Sequence, residues 1–151
     1  MTSVSRRVRQ RPLAVYTDGS GINGKVGAAA VLPERQRIAQ AYLGNEAAAI
    51  VYAAELQGIL MVLQLICDEA REGSRWRYRR ATIFTDSQAA IRAVRDPRRQ
   101  SGQHILRGIV QMLHKLQETA PEMDLRIQWT PAYEGIPGNE RADIAAKEAT
   151  G

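Results

Sequence analysis

The chain has 151 residues, 44% of them hydrophobic, which suits one domain built around one core. Its formal net charge of +5 and isoelectric point of about 9.8 favour a polyanionic partner. The single Cys67 excludes an internal disulfide framework, and no second cysteine or histidine stands at ligand spacing to make a zinc site.

Read from its start, "MTSVSRRVRQRP" is basic and carries no apolar leader, so residues 1–11 are expected to form a flexible tail and the chain to be intracellular, in nucleus or cytoplasm. From Pro12, "PLAVYTDGSG" reads as a buried strand stopped by glycine, and "GAAAVLP" and "RIAQAYL" follow as two further strands of an antiparallel meander. The period then changes. From about Glu46 to Ala70, Tyr52, Leu56, Ile59, Leu60, Leu63 and Ile66 recur at helical spacing and predict one long helix. Its apolar run reaches the roughly 20 residues that span a bilayer. Glu55, Gln57 and Gln64 interrupt it, and a carboxylate at mid-membrane is costly, so a core helix is expected, with Cys67 in the core and no membrane partner.

"RRATIFTDS" predicts a fourth strand, "SQAAIRAVR" a short helix ended by Pro97, and "SGQHILRGIVQMLHKLQE" another helix. "MDLRIQWTP" predicts a fifth strand and "GNERADIAAKEA" a closing helix capped by Asn139. Three strands, helix, strand, two helices, strand, helix is the order of an α/β domain with a mixed sheet flanked by helices. No repeat or linker divides residues 12–151. The basic excess is arginine, in "SRRVRQR", "RWRYRR" and "RDPRR". A solvated surface explains any one cluster; the three together point toward nucleic acid, with Trp76 read as a packing residue.

Four acids need a reason. "AVYTDGS" and "TIFTDSQ" each deliver an aspartate, Asp18 and Asp86, to what reads as a strand end, where ligand groups of open α/β sheets gather; each can equally just begin a turn. Glu55 shares a helical stripe with Ile59, Val62 and Ile66, so it lies at the edge of that stripe, pairs with a cation, or binds a metal. Asp143, four residues after Asn139, stands where an acid commonly serves the helix dipole alone. If the four converged, a multivalent cation or protonation would have to hold them together.

The ordered set "YTDGS", "YAAEL", "TDSQ" and "WTPAYEGIPGNERAD" resembles the type I ribonuclease H family over nearly the whole span from about Leu13 to Ala149. The combination "TDSQAA", "RDPRRQSGQ" and "GIPGNERAD" is most similar to the ribonuclease H domain of LINE-like, non-LTR retrotransposon reverse transcriptases. The resemblance implies a ribonuclease H-like fold: a five-stranded mixed sheet, its first three strands antiparallel. It implies that Asp18, Glu55, Asp86 and Asp143 bind two Mg2+ ions, with Mn2+ as substitute. One ion would activate a water toward the scissile phosphate and the other would stabilise the leaving oxygen. The implied reaction cuts the RNA strand of an RNA/DNA hybrid and leaves 5′-phosphate and 3′-hydroxyl ends. The backbone of Gly19 and Ser20 and the amide of Gln88 match positions that approach the RNA strand.

Three departures stand beside the match. Val51 and Tyr52 occupy the place of a pair of asparagines in cellular members, and "RDPRRQSGQHILRG" passes to the next helix without the basic, tryptophan-bearing handle that cellular members insert. Weak binding in isolation is therefore expected, with a fused or associated reverse transcriptase supplying affinity to an otherwise monomeric domain. Tyr133 stands where the family has a histidine, ten residues before Asp143. A histidine exchanges protons near neutral pH and a tyrosine does so poorly, so Tyr133 predicts a slower auxiliary step rather than a dead enzyme. The rival expectation is a hybrid-binding module of a retroelement with weak or no turnover.

Overall fold

The computed structural model describes residues 13–22, 24–45, 50–71, 79–98, 101–131 and 137–150, with only the backbone given for Ile22, Arg35 and 137–140. The basic tail, most of "RWRYRR" including Trp76, and Tyr133 lie outside the described residues. The elements are β1 (Leu13–Ile22), β2 (Lys25–Leu32), a 3-10 turn (Pro33–Arg35), β3 (Arg37–Asn45), α1 (Val51–Arg71), β4 (Arg80–Thr85), α2 (Gln88–Arg95), α3 (Gln103–Thr119), β5 (Asp124–Trp129) and α4 (Pro137–Ala149). The strands form one five-stranded sheet in the order β3-β2-β1-β4-β5. β1, β2 and β3 are antiparallel neighbours, and β4 is parallel to both β1 and β5. This is the mixed sheet flanked by helices that the element order predicts.

Strand β2 shows why helices must cover both faces. All of its residues after Lys25 are buried. Val26, Ala28, Ala30 and Leu32 join the main core with Leu56, Ile59 and Leu63 of α1, whereas Ala29 packs with Ala145 and Ala146 of α4. Alternate side chains of a strand point to opposite faces, so α1 lies on one side of the sheet and α4 on the other. α3 packs beside α1. Ile59, Leu63 and Ile66 are fully buried, each worth about 1.5–3 kcal/mol against leaving it exposed. α1 is long and apolar enough to cross a membrane by composition, but 61% of that stretch is buried inside the domain. Cys67 is in the same core.

Several boundaries differ from the sequence expectation. β1 does not stop at glycine: it runs through Gly19 and Gly21 to Ile22 because its ladder with β2 continues to Ile22 and Lys25. Gly24, at φ 76°, closes this hairpin in a left-handed conformation that glycine adopts without strain. α1 starts at Val51 rather than near Glu46, and Ile50 lies outside the helix. α4 starts at Pro137, so Asn139 sits in its first turn and not at its cap. Proline suits a first helical position because the missing N–H has no partner there in any case.

Candidate active site

The sheet register brings the first two aspartates level. β1 and β4 run parallel with Tyr16 opposite Phe84, their rings stacked with centroids 5.2 Å apart. Two residues further along each strand stand Asp18 and Asp86. Asp86 follows the end of β4, as expected, whereas Asp18 lies inside β1. Both sit just past the point where β1 and β4 stop pairing.

Glu55 comes to the same place from α1. Gly19 has no Cβ, and one placed there would stand 2.8 Å from the Glu55 backbone nitrogen and 2.9 Å from Ala54. Only hydrogen at that position lets the first turns of α1 approach β1 so closely. Gly58, one turn on, keeps α1 close to the sheet, since its Cβ would lie 3.1 Å from the Ala29 carbonyl oxygen of β2 and 3.4 Å from that of Asp18 in β1. One oxygen from each of Asp18, Glu55 and Asp86 lies within 4.8 Å of the other two. At 6% exposure Glu55 is not at the edge of its stripe. It has no cation partner among the described residues, so either a proton or a metal ion must relieve its charge.

Asp143 stands slightly apart from that trio. From the second turn of α4 it lies near enough to Asp18 to help raise that carboxyl, and its Oδ2 pairs with Lys147 Nζ at 2.8 Å. The sequence reading overlooked Lys147, although the spacing of four between Asp143 and Lys147 on one helix signals such a pair. The last helix can approach because Gly27 of β2 lies against the Ala146 carbonyl, where any side chain would collide.

The electrostatics follow from crowding. Burial, then the charge of Asp86 and the nearness of Asp143, push the Asp18 carboxyl up to about 8. Burial, then Asp18 and Asp86, push Glu55 up to about 9. Burial also raises Asp86, with the charge of Asp143 adding to it. Among the described residues Glu55 Oε2 is buried without a hydrogen-bond donor; its neighbours in the cluster are carboxylates, which can only share a proton with it. Such a cluster is costly as anions and is relieved by protons or by a multivalent cation. Hard oxygen donors at this spacing fit a divalent metal ion such as magnesium or manganese. Asp18, Glu55 and Asp86 are the residues that can hold it, with Asp143 beside Asp18.

The expected substrate contacts divide. Gln88 is exposed at the start of α2, whose first turn is capped by Ser87 Oγ accepting from the Ala90 N–H at 3.1 Å. Ser20 is buried within β1. Gly19 is packed against α1, so its lack of a side chain has a structural reason besides any approach of a ligand. Tyr52 donates from its hydroxyl to the Ser101 carbonyl at 3.1 Å, tying the start of α1 to the segment before α3. Val51 beside it is exposed.

The RNase H family model matches residues 10–150. The chain belongs to the RNase H family. LC11-RNase H1, isolated from compost by a metagenomic approach and solved in complex with an RNA/DNA hybrid, superposes with a TM-score of 0.66 at 17% identity, covering 91% of this chain and 96% of that one. RNase H1 from the halophilic archaeon Halobacterium salinarum gives a TM-score of 0.56 at 21% identity, over 92% and 97% of the two chains. The N-terminal RNase H domain of a Mycobacterium tuberculosis protein gives 0.58 at 18%, over 92% and 93%. At these identities the likeness is one of fold. No curated protein matches the sequence significantly. The RNase H fold accounts for the five-stranded sheet and its four helices, and family membership supports a ribonuclease H enzyme whose acidic cluster can bind a divalent metal.

The closeness at Gly19 gives a direct expectation. Gly19→Ala should destabilise the domain by about 1–3 kcal/mol through overpacking. It should also weaken divalent-metal binding at the cluster, because the added methyl displaces the helix turn that carries Glu55. Thermal melting of the same preparation with and without Mg2+ checks both effects; an unchanged melting temperature would contradict the close packing.

Proposed function

We propose that the chain is a metal-dependent endonuclease that hydrolyses the RNA strand of RNA/DNA hybrids, leaving 5′-phosphate and 3′-hydroxyl ends. Asp18, Glu55, Asp86 and Asp143 are its catalytic and metal-binding carboxylates, and two Mg2+ ions, or Mn2+ in their place, are its cofactors. The observation that carries this reading is the buried trio of carboxylates within 4.8 Å of one another in an RNase H chain. Bound there, divalent ions would supply an activated water and stabilisation of the leaving oxygen.

The chain's own residues set the geometry. Asp18 and Asp86 are fixed by strand register, Glu55 by the tight Gly19 contact, and Asp143 by α4. Residues 12–151 form the RNase H domain and residues 1–11 a basic tail. Selectivity for the hybrid comes from duplex shape and 2′-hydroxyls, since the edges of bases in A-like duplexes are hard to read. The backbone of Gly19 and Ser20 and the side chain of Gln88 face the RNA strand. The hybrid bound to LC11-RNase H1 supports the same substrate class here.

Val51 and Tyr52, and the direct passage from α2 to α3, support descent from a LINE-like reverse transcriptase. The domain in isolation is a monomer that binds weakly, a fused or associated polymerase adds affinity, and its compartment is the nucleus or cytoplasm. Tyr133 favours slow turnover, and in the extreme a hybrid-binding module without turnover.

Cleavage of strand-labelled hybrid, duplex RNA and duplex DNA, in Mg2+ and then Mn2+, tests the proposal. Cuts confined to the RNA strand of the hybrid are expected. Binding without cuts would leave the module, and cutting that ignores the sugar of the strand would overturn the substrate assignment.

A further inference from the structure

A second feature lies close to the carboxylates in register and sequence. A groove of about 420 Å³ lies between α2 and β5, its walls including Gln88, Arg92, Arg95, Gln128 and Trp129. Its mouth is fixed by register: Trp129 is opposite Thr85, the residue before Asp86, and Gln88 is two residues after Asp86. From there Gln88, Arg92 and Arg95 follow one face of α2, covering about 10 Å along the helix axis.

Ile91 and Ile127 form the apolar part of the lining, and the guanidiniums, an amide and the indole form the rest. Arg92 and Arg95 are exposed, and no carboxylate of a described residue pairs with either; Arg92 Nε donates only to the Gln88 carbonyl, at 3.4 Å. Other surface arginines differ: Arg37 pairs with Glu69 at 3.0 Å, Arg126 with Asp124 at 3.0 Å, and Arg98 with Asp96 at 3.7 Å. Trp129 is 46% exposed although it lies on a strand of the sheet. Arginines in a last turn also complement the helix dipole. That gives no reason for an exposed indole and the Gln88 amide to line the same groove. Unpaired guanidiniums, a flat aromatic surface and amides are the groups that hold a single nucleic-acid strand, through phosphates, stacked bases and sugar or base edges. The volume is that of a small-molecule pocket, which admits a short stretch of one strand and not a duplex.

We infer that the groove between α2 and β5 is a single-strand subsite, which takes an unpaired extension of the cut strand as it leaves the carboxylate cluster. The inference rests on the hybrid substrate proposed above. Binding in an Asp86→Asn background, where no cutting is expected, tests it with a blunt RNA/DNA hybrid and with the same hybrid carrying an unpaired RNA extension at its 5′ or its 3′ end. One of the two extensions should tighten binding about tenfold, as one stacked base with phosphate contacts would. Arg92→Ala/Arg95→Ala should abolish that gain and flatten the slope of log K against log salt by about 1.4, the value for two single-strand phosphate contacts. Trp129→Ala should reduce the gain with little change in the slope. Should Trp129→Ala melt early, the arginine pair decides alone. Arg107→Ala/Lys115→Ala, which removes two charges from the exposed side of α3, should keep the gain.

No gain from either extension, or equal loss in the α3 variant, would overturn the inference. Because binding is read without turnover, a wild-type protein that fails to cut refutes the nuclease and leaves this result standing. A wild-type protein that cuts but gains nothing from either extension refutes the subsite alone.

Discussion

Asp86→Asn is expected to lower hybrid cleavage by about 10³-fold or more while leaving the metal-free domain at least as stable as the wild type. The two halves of this result come from the same geometry. Asp86 follows β4 level with Asp18, and its carboxyl contributes charge to a cluster in which Asp18 and Glu55 are already pushed up by their neighbours. Asparagine keeps the size and one oxygen but removes the charge. A cation would lose an anionic ligand, and the remaining acids would lose a repulsive neighbour. A residue needed only for folding would give the opposite pair, lower stability with activity falling in proportion. Turnover and melting temperature measured in EDTA on one preparation separate the cases. Cleavage within tenfold of the wild type would remove Asp86 from the catalytic set.

The second large effect is the dependence of stability on pH and metal. Glu55 keeps its proton to about 9 in the folded domain against an ordinary value of 4.5. Asp18 keeps its proton to about 8 against 3.8. Between those values the folded state binds more protons than the unfolded one, so raising the pH favours unfolding. The metal-free protein should therefore lose stability steadily from about pH 4 to about pH 9, by an amount on the order of a few kcal/mol. Mg2+ at about a hundred times its dissociation constant should restore about 2.7 kcal/mol, a rise of roughly 5–10 °C in Tm for a domain of this size. The rise should be larger at pH 8 than at pH 5, because the ligands must be ionised to bind. Melts at both pH values, with EDTA and with Mg2+, check the sign. Glu55→Gln should flatten the EDTA profile; a wild-type profile in EDTA that rises with pH would contradict the buried, crowded carboxylates.

Much of this was legible in the chain because it is local. The change from short apolar runs to helical spacing at Tyr52, Leu56 and Ile59 places the switch from the meander to α1. Glu55 announces itself as a carboxylate on an apolar stripe. What could not be read was long-range. The glycines after Asp18 read as a stop because glycine often ends a strand, yet pairing with β2 carries β1 four residues beyond Asp18. That Asp18 and Asp86 end level depends on the register between β1 and β4, which neither strand specifies alone. Asn139 is a good cap residue by type, but Pro137 begins the helix. Gly19 read as a strand stop or ligand residue and Gly27 as part of a strand, and their role in letting α1 and α4 approach emerges only when the helices are docked. The groove was missed because Trp129 was read as part of a strand and Arg92 and Arg95 as part of a helix, with nothing in either segment to show that they face each other.

The most direct test of the metal-nuclease reading is the chemistry of the cut ends. RNA fragments released from a hybrid in Mg2+ should carry 5′-phosphate and 3′-hydroxyl ends by mass spectrometry, and none should appear in EDTA or with Asp86→Asn. Fragments ending in 2′,3′-cyclic phosphate, or cleavage that persists in EDTA, would mean attack by the RNA's own hydroxyl and would contradict hydrolysis at the Asp18, Glu55 and Asp86 cluster.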